Sequence, residues 1–319
     1  MAGSLLLGVD IGTSSAKGVL CEPDGTVLAT AETPHAFSSP RPGWAEQDAD
    51  GVWWTGFVTV CRQLLKERWT GDDIGAIGVS GIGPCVLPVD EQGRPLRPGI
   101  LYGIDTRATG QIAALERDPG FDPIFELNGQ IPTTQSAGPK IRWIRENEPD
   151  LYQKTCKFLG APSYLIHRLT GEFVTSRHEA SYATPLVDLD RLEYDDRFAG
   201  TICPIERLPR AAWSTEIAGT VTARAAAETG LRPGTPVNAG AIDAAAEALS
   251  VGVINPGDLM MMYGSTLFSF SLPMAPGRIR SSGATGYLTP GSYSIGAGMS
   301  TTGLLTLVPG RACRIRSNG

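Results

Sequence analysis

Residues 5–20 read LLLGVDIGTSSAKGVL, and this stretch decides the predicted fold. An apolar run stops at Asp10, passes through a small polar turn and resumes, which is the pattern of two strands joined by a tight turn. A carboxylate at such a strand end can hold a hydrated Mg²⁺. The residues Gly12, Thr13 and Ser14 leave backbone N–H groups and hydroxyls free to face a phosphate. Taken alone, the stretch is explained slightly better as an ordinary hairpin with a solvated aspartate.

The composition indicates a globular, acidic protein. Its 319 residues are enough for about two domains, and a net charge of -6 argues against nucleic acid or an anionic membrane surface as a partner. The six cysteines are scattered and the three histidines are isolated, so we expect no zinc site. No basic leader precedes the first apolar run, and no run reaches the ~18 apolar residues of a membrane span. We therefore expect a cytoplasmic protein.

Two further strand ends carry distinctive residues. The predicted buried strand at 74–80 runs into a loop containing Gly83 and Pro84. The predicted strand at 236–240 delivers Asp243 to the start of an Ala-rich helix. Asp243 therefore lies at a strand-to-helix junction, beside the positive end of a helix dipole.

The opening pattern occurs a second time. A strand, the triplet Gly264, Ser265 and Thr266, and another strand follow one another after residue 258. Two such turns in separate domains would grip one polyphosphate from both sides. The repetition shifts the interpretation of the first turn from a plain hairpin towards a phosphate site.

The loop at residues 43–48 reads GWAEQD. Trp44 beside Glu46 and Gln47 combines an aromatic ring with a carboxylate and an amide, which a polyol-binding wall requires. Further on, Asp105 precedes a predicted helix that continues to about residue 116. Asp105 is either the helix N-cap or a ligand contact, because both occur at strand ends of open α/β sheets.

Taken in order, these segments resemble the FGGY carbohydrate kinases and, within that family, the xylulokinases. The matches extend from residue 6 to about residue 305, and ordered matches are far more specific than any single motif. They comprise residues 9–17 (VDIGTSSAK), 43–48 (GWAEQD), 77–81 (IGVSG), 168–173 (RLTGEF), 239–245 (AGAIDAA) and 252–266 (GVINPGDLMMMYGST).

The resemblance implies an α/β fold of the ribonuclease H-like, actin-type class, with two domains about a cleft that holds ATP and Mg²⁺. A complete N-terminal sugar- and phosphate-binding domain would occupy residues 1–250. An incomplete C-terminal domain would occupy residues 251–319. The partner would be a small sugar or polyol, phosphorylated on a hydroxyl at the expense of ATP.

The resemblance also implies roles for individual residues. Asp243 would accept the proton of the attacking sugar hydroxyl, and Asp10 would orient Mg²⁺. The implied phosphate contacts are Gly12, Thr13, Ser14 and Lys17 in the first domain and Gly264, Ser265 and Thr266 in the second. The implied sugar contacts are Trp44, Glu46, Gln47, Gly83, Pro84, Asp105 and Arg107.

Departures from the family pattern fall at the sugar site. The family's Gln-Met-His after Ser-Gly is replaced here by Ile82, Gly83 and Pro84, so two expected side chains are missing. The family's Trp-Asn before Asp-x-Arg is replaced by residues 102–104, which read YGI. The sugar pocket is therefore remodelled, and xylulose is only one candidate substrate.

The end of the sequence departs further. Family members continue well beyond residue 319 and place their adenine-binding segment there, whereas residues 308–319 lose helical periodicity and gain three arginines without an acid. We expect a truncated or out-of-frame end. Uncovered strand faces would then lower stability or favour association, for which a homodimer is the candidate.

Two other functions fit parts of the pattern. A catalytically inactive sugar-binding or regulatory remnant would retain the first domain without productive ATP binding. An actin-type ATPase with a protein client would share the phosphate turns, but the Trp44 loop favours a small polar substrate.

Overall fold

The computed structural model describes residues 3–66, 68–263, 267–280 and 283–299 of the 319-residue chain. Within these residues the chain forms a mixed α/β structure. The strands, in chain order, are β1 (Leu5–Ile11), β2 (Ser15–Cys21), β3 (Val27–Pro34), β4 (Glu46–Gln47), β5 (Ile74–Gly81), β6 (Leu87–Val89), β7 (Gly99–Ile100), β8 (Lys157–Leu159), β9 (Val174–Ser176), β10 (Val187–Asp188), β11 (Glu193–Tyr194), β12 (Arg210–Ala212), β13 (Ile217–Thr220), β14 (Pro236–Asn238), β15 (Ala241–Ile242), β16 (Leu259–Tyr263), β17 (Leu267–Ser271), β18 (Gly283–Gly286) and β19 (Tyr293–Met299).

The helices connect and cover these strands. They are α1 (Thr55–Leu64), α2 (Thr109–Arg117), α3 (Phe121–Asn128), α4 (Ala137–Asn147), α5 (Pro149–Lys154), α6 (Ala161–Thr170), α7 (Arg177–Ala180), α8 (Ala223–Thr229) and α9 (Asp243–Ser250). A π-helical turn at Ala49–Trp54 leads into α1, and short 3₁₀ turns occupy Ala199–Thr201 and Ile205–Arg207. In the described part of the chain, no helix is long and apolar enough to cross a bilayer.

The first sheet has the strand order β13-β14-β5-β1-β2-β3, with β15 paired to β5 beyond the end of β14. β1 is antiparallel to β2 and parallel to β5, and β2 is antiparallel to β3. The predicted opening of three antiparallel strands is thus confirmed. Alternation along β1 buries Leu7, Val9 and Ile11, while Asp10 lies on the opposite, more open face.

Helices α1 and α6 cover the apolar face of this sheet. Phe57 and Val60 of α1 and Tyr164 of α6 are fully buried in the same core as β1. Gly18 of β2 permits the close approach of α1, because a Cβ atom at this position would lie 2.1 Å from Cγ1 of Val60. Removal of this apolar face from water stabilises the sheet by the usual ~25 cal/mol per Å².

The second sheet is antiparallel, with the order β16-β17-β19-β18. Helix α9 packs on it, burying Ala245 and Ala248 against Phe270. Strand β18 is also bonded to the first part of the chain: Gln130 Nε2 donates to the Ala284 carbonyl at 2.5 Å, and the Gly286 carbonyl lies 2.8 Å from Nδ1 of His178. The second sheet is therefore fastened along β18.

Several predicted helix boundaries need correction. The helix expected to begin at Asp105 begins at Thr109, and Asp105 is not its cap, so this alternative is wrong. Asp48 does cap the turn before α1, since its Oδ1 accepts from the N–H groups of Asp50 and Gly51 at 3.0 Å. Helices α3, α5 and α7 were not predicted. Residues 264–266 and the tail from residue 300 onwards, on which other predictions rest, lie outside the described residues.

Candidate active site

Three neighbouring parallel strands of the first sheet end at one edge. Asp10 of β1 pairs with Ser80 of β5, which pairs in turn with Ala241 of β15. Asp243 opens helix α9 two residues after Ala241. The register therefore brings the two predicted carboxylates, Asp10 and Asp243, to the same edge, where ligands bind in open α/β sheets.

Asp10 is held by its neighbouring strands. The hydroxyl of Ser80 donates to its Oδ1 at 2.7 Å, and Lys17 is its cross-strand partner on β2. Burial raises the pKa of the Asp10 carboxyl, and the Ser80 hydrogen bond and the Lys17 charge oppose that rise. One carboxylate oxygen of Asp10 is thus held by a hydrogen bond from the neighbouring strand.

Among the acidic groups of this region, the carboxyl of Asp243 has the most strongly shifted pKa. Burial, and next the charge of Asp10, raise its pKa from 3.8 to about 8, although the Ala244 N–H donates to its Oδ1 at 2.8 Å. Glu247 lies one helical turn after Asp243. Burial, and next the charge of Asp10, raise the pKa of its carboxyl as well. Each ionised carboxylate therefore disfavours ionisation of its neighbours, and a cation bound at Asp10 would reduce this repulsion.

The turn between β1 and β2, residues 12–14, is held by hydrogen bonds to its carbonyl groups. His35 uses Nε2 to contact the Gly12 carbonyl at 2.9 Å and its backbone N–H to contact the Ser14 carbonyl at 2.8 Å. Gln47 Nε2 donates to the carbonyl of Thr13 at 2.9 Å. All three carbonyls are therefore hydrogen-bonded within the protein. The Gly12 N–H, predicted to be free to face a phosphate, instead donates to the Ser15 carbonyl at 2.9 Å.

Gln47 supports this turn instead of lining an open pocket. Its side chain is buried, and its Oε1 accepts from the indole N–H of Trp53 at 2.8 Å. The sequence pattern predicts a sugar contact here. The structure shows that both ends of the amide are already bonded within the protein.

Glu46, Asp105 and Arg107 form a buried charge cluster. Arg107 Nη1 lies 2.8 Å from Glu46 Oε1, and its Nη2 lies 2.7 Å from Asp105 Oδ2. Asp105 also accepts from the Ala45 N–H at 2.7 Å, and Glu46 pairs in addition with Arg97. Each of the three predicted sugar contacts therefore has a charged partner inside the protein, although the buried Nη1 of Arg107 makes an ion pair without a hydrogen bond.

Trp44 joins the same cluster through its ring. The Arg107 guanidinium lies 4.0 Å from the centre of that ring, and the ring of Trp143 meets it edge-on at 5.2 Å. Arg41 lies 4.7 Å from the same centre. Trp44 is half-buried and held by cation–π contacts, so the only surface it offers to a ligand is its exposed part.

The loop after β5 presents backbone rather than side chains next to Asp243. The peptide bond between Gly83 and Pro84 is cis, and Pro84 is buried. A Cβ atom at Gly83 would lie 2.7 Å from Cγ1 of Ile242, the residue that precedes Asp243. Ile242 therefore occupies the space that a side chain at position 83 would need, and glycine is required there.

Tyr102 is a site residue that the sequence revealed only as a departure from the family pattern. Its hydroxyl lies 3.0 Å from the Thr13 hydroxyl, and the charge of Asp243 contributes to its raised pKa after burial. The sequence signal for this residue was the tyrosine itself, which stands shortly after β7 where the family pattern has residues without a hydroxyl. The contact joins positions 89 residues apart, which no local pattern predicts.

A groove of about 750 Å³ opens beside Asp10 on the uncovered face of the first sheet. Gly8 and Gly78 form part of its lining together with Lys17, and Leu249 of α9 also contributes. The predicted second phosphate turn, Gly264, Ser265 and Thr266, lies outside the described residues, between β16 and β17.

Comparisons with known proteins agree with this arrangement. A sequence model for the N-terminal domain of the FGGY family of carbohydrate kinases matches residues 5–250. The chain is 28% identical over 270 residues to the xylulose kinase of Escherichia coli (strain K12), covering 84% of this chain and 54% of that protein. It is 28% identical over 305 residues to glycerol kinase 2 of Streptomyces coelicolor, covering 92% of this chain and 58% of that protein.

A solved structure gives the same result. The crystal structure of xylulose kinase from Rhodospirillum rubrum superposes with a TM-score of 0.89 at 31% identity, covering 96% of this chain and 64% of that chain. The described fold therefore corresponds to that of solved sugar kinases. The chain spans about half the length of the curated relatives it matches.

Proposed function

Because this chain belongs to the FGGY family of carbohydrate kinases, we propose that it takes part in ATP-dependent phosphorylation of a sugar or polyol hydroxyl, with Asp243 as general base. One observation carries the proposal: Asp243 and Asp10 meet at one sheet edge, beside a turn whose carbonyls are hydrogen-bonded within the protein. The family resemblance supplies the reaction. The geometry supports the roles of these residues.

Asp243 would act on the proton of the acceptor hydroxyl. As the hydroxyl oxygen attacks the γ-phosphorus, a new O–P bond forms, the bond to the ADP oxygen breaks, and the proton moves to Asp243. A carboxyl whose pKa is raised to about 8 is a stronger base once ionised than an ordinary aspartate. Its position at the start of α9 fixes the direction from which it approaches the substrate.

Mg²⁺ and ATP fit the residues around Asp10. Mg²⁺ keeps several waters and binds through one or two carboxylates plus substrate phosphates. No cluster of three or more acidic, histidine or cysteine side chains able to hold a metal occurs among the described residues, which suits an ion held mainly by water and phosphate. Asp10 would hold the ion, while Gly12, Thr13, Ser14 and Lys17 would face the phosphates.

The substrate class follows from the relatives and the altered loop. The relatives include proteins named xylulose kinase and glycerol kinase, so we propose a small ketose or polyol as acceptor. Gly83 and Pro84 offer no hydrogen-bonding side chain beside Asp243, which distinguishes this pocket from one built to bind xylulose through that loop. ATP as phosphate donor implies action in the cytoplasm, and a net charge of -6 disfavours nucleic acid.

We also propose a homodimer as the assembly. Leu259, Met261 and Tyr263 of β16 are 56%, 63% and 66% exposed, and a contiguous apolar strip on an edge strand favours association. Sedimentation velocity of the purified chain tests this proposal, and a monomer across the micromolar range would refute it.

The enzymatic proposal is tested by ADP release from ATP in the presence of a panel of pentoses, ketoses and polyols. We expect sugar-dependent release, and Asp243→Asn should lower it by a factor of about 10² to 10⁴ while leaving sugar affinity nearly unchanged. Sugar-induced thermal stabilisation without any ADP release would instead support a sugar-binding protein without activity. Wild-type turnover in the variant would show that Asp243 is not the base.

A further inference from the structure

In the phosphate turn, residues 12–14, the Thr13 hydroxyl is held by a hydrogen bond to another side chain of the protein. The carbonyls of Gly12, Thr13 and Ser14 are hydrogen-bonded within the protein, and Ser14 has an exposed side chain. Thr13 is partly buried, and its hydroxyl is bonded to Tyr102 at 3.0 Å. Tyr102 therefore determines the direction in which the Thr13 hydroxyl points.

Tyr102 is itself firmly held. Its carbonyl accepts from Nζ of Lys140 at 3.0 Å and from the Asp105 N–H at 3.0 Å. Lys140 is fully buried, and its Nζ also donates to the Thr134 carbonyl at 2.6 Å. The Gly103 N–H next to Tyr102 donates to Gln135 Oε1 at 3.1 Å. The phenol is thus presented by a backbone anchored on both sides.

We propose that Tyr102 is a positioning residue that orients the Thr13 hydroxyl as a hydrogen-bond donor to a bound phosphate, an inference that rests on the proposed function. A phosphate oxygen accepts hydrogen bonds only. When Thr13 donates to it, the single remaining role at the 3.0 Å contact is for Tyr102 to donate to Thr13 Oγ1. The phenol, the threonine hydroxyl and the phosphate then form one chain of hydrogen bonds, each of which strengthens the next.

The surroundings of Tyr102 favour the donor state. Burial, and after it the nearby charge of Asp243, keep the pKa of the phenol above its usual value, so the proton stays on the tyrosine. Tyr102 also links two parts of the site, because it follows the loop near the proposed sugar pocket while its hydroxyl contacts the phosphate turn. A perturbation confined to its hydroxyl should therefore appear in phosphate binding and not in sugar binding.

The test is a double-mutant cycle of Tyr102→Phe and Thr13→Val on the full chain. Binding of inorganic tripolyphosphate, and of a non-hydrolysable ATP analogue with Mg²⁺, is measured by titration calorimetry. Thr13→Val removes the hydrogen bond to the charged phosphate and should lose about 10- to 100-fold in affinity, whereas Tyr102→Phe removes the neutral bond that orients Thr13 and should lose about 3- to 10-fold. The double variant should lose no more than about twofold beyond Thr13→Val, because the relay is already broken.

Tyr293→Phe is the matched control, since its hydroxyl donates to the Asp190 carbonyl at 3.1 Å, away from the phosphate turn. We expect it to leave phosphate affinity unchanged, and Tyr102→Phe to leave sugar affinity within about threefold. Additive losses in the cycle, equal losses for sugar and phosphate, or no binding of either probe by the wild type would each overturn the positioning role. Sugar-dependent ADP release with an unaffected Tyr102→Phe variant would refute this role while supporting the kinase. Phosphate binding that depends on Tyr102, without any sugar-dependent ADP release, would support the positioning role and refute the kinase activity.

Discussion

Asp243→Asn should stabilise the folded chain while abolishing phosphoryl transfer. In the folded chain the pKa of Asp243 is raised from 3.8 to about 8, whereas in the unfolded chain it takes its ordinary value. Between these two values the folded state keeps a proton that the unfolded state releases. The free energy of unfolding of the wild type therefore falls as pH rises from about 4 to about 8 and is flat above. Asparagine has no such titration.

The size of the effect follows from the same pKa values. A rise of about four in pKa corresponds to about 6 kcal/mol at about 1.4 kcal/mol per unit. We therefore expect the variant to be more stable than the wild type by up to about 6 kcal/mol at pH 8 and equal to it near pH 4. Asparagine keeps an oxygen for the Ala244 N–H, so the helix start is preserved.

Urea unfolding at pH 4, 6 and 8 with EDTA present measures the difference directly. Asp258→Asn is the control, because backbone hydrogen bonds from Asn255 and Ile254 lower the pKa of the Asp258 carboxyl, so that this group titrates below pH 4. The stability of that variant relative to the wild type should therefore stay constant between pH 4 and pH 8. The reasoning would be refuted if the stability advantage of Asp243→Asn did not grow with pH, or if the variant were less stable than the wild type at pH 8. Either result would show that ionised Asp243 does not destabilise the folded chain.

Three further outcomes are expected. Sugar-dependent ADP release should rise with pH from 5 towards 8, because Asp243 accepts a proton only when ionised, and a flat initial-rate profile would contradict this. Gly83→Ala should cost about 1–3 kcal/mol in urea unfolding through overlap with Ile242, and it should cost clearly less when it is added to an Ile242→Ala background; an equal cost in both backgrounds would refute the overlap. Arg107→Leu should cost about 3–5 kcal/mol by removing the ion-pair partner of the buried Asp105, whereas the exposed-pair control Arg94→Leu should cost less than about 1 kcal/mol, as melting of the two variants would show.

The parts of the fold set by local periodicity were predictable. The alternation of β1, the small turn after Asp10 and the helix that begins at Asp243 each depend on neighbouring residues, and all are confirmed. The strand register then brings Asp10 and Asp243 to one edge, as expected for parallel strands that end together. The family membership, which rests on ordered motifs, is likewise confirmed.

The partners of polar side chains were not predictable in the same way. Gln47 bonds to Thr13 across 34 residues and Tyr102 to Thr13 across 89, so neither contact leaves a periodic trace in the sequence. The loop around Trp44 was interpreted as a sugar-binding wall because its residue types suit a polyol. The same types also suit a buried charge cluster, and in the structure Glu46 pairs with Arg97 and Arg107, while its contact with a sugar stays a prediction.

The attachment of the second sheet along β18 leaves β16 at the opposite edge of the described strands, where a rotation about β18 would have its largest effect. Two strands lie between β18 and β16, so β16 stands about 14 Å from the fastened edge at the usual spacing of about 4.8 Å per strand. A rotation of about 10° about β18 would move the end of β16 by about 2.5 Å, the difference between a formed and a broken hydrogen bond. Tyr263, the last described residue of β16, would travel this distance while the bonds of Gly286 to His178 and Ser181 stay intact. A small rotation about β18 would thereby move β16 far enough to form or break a hydrogen bond.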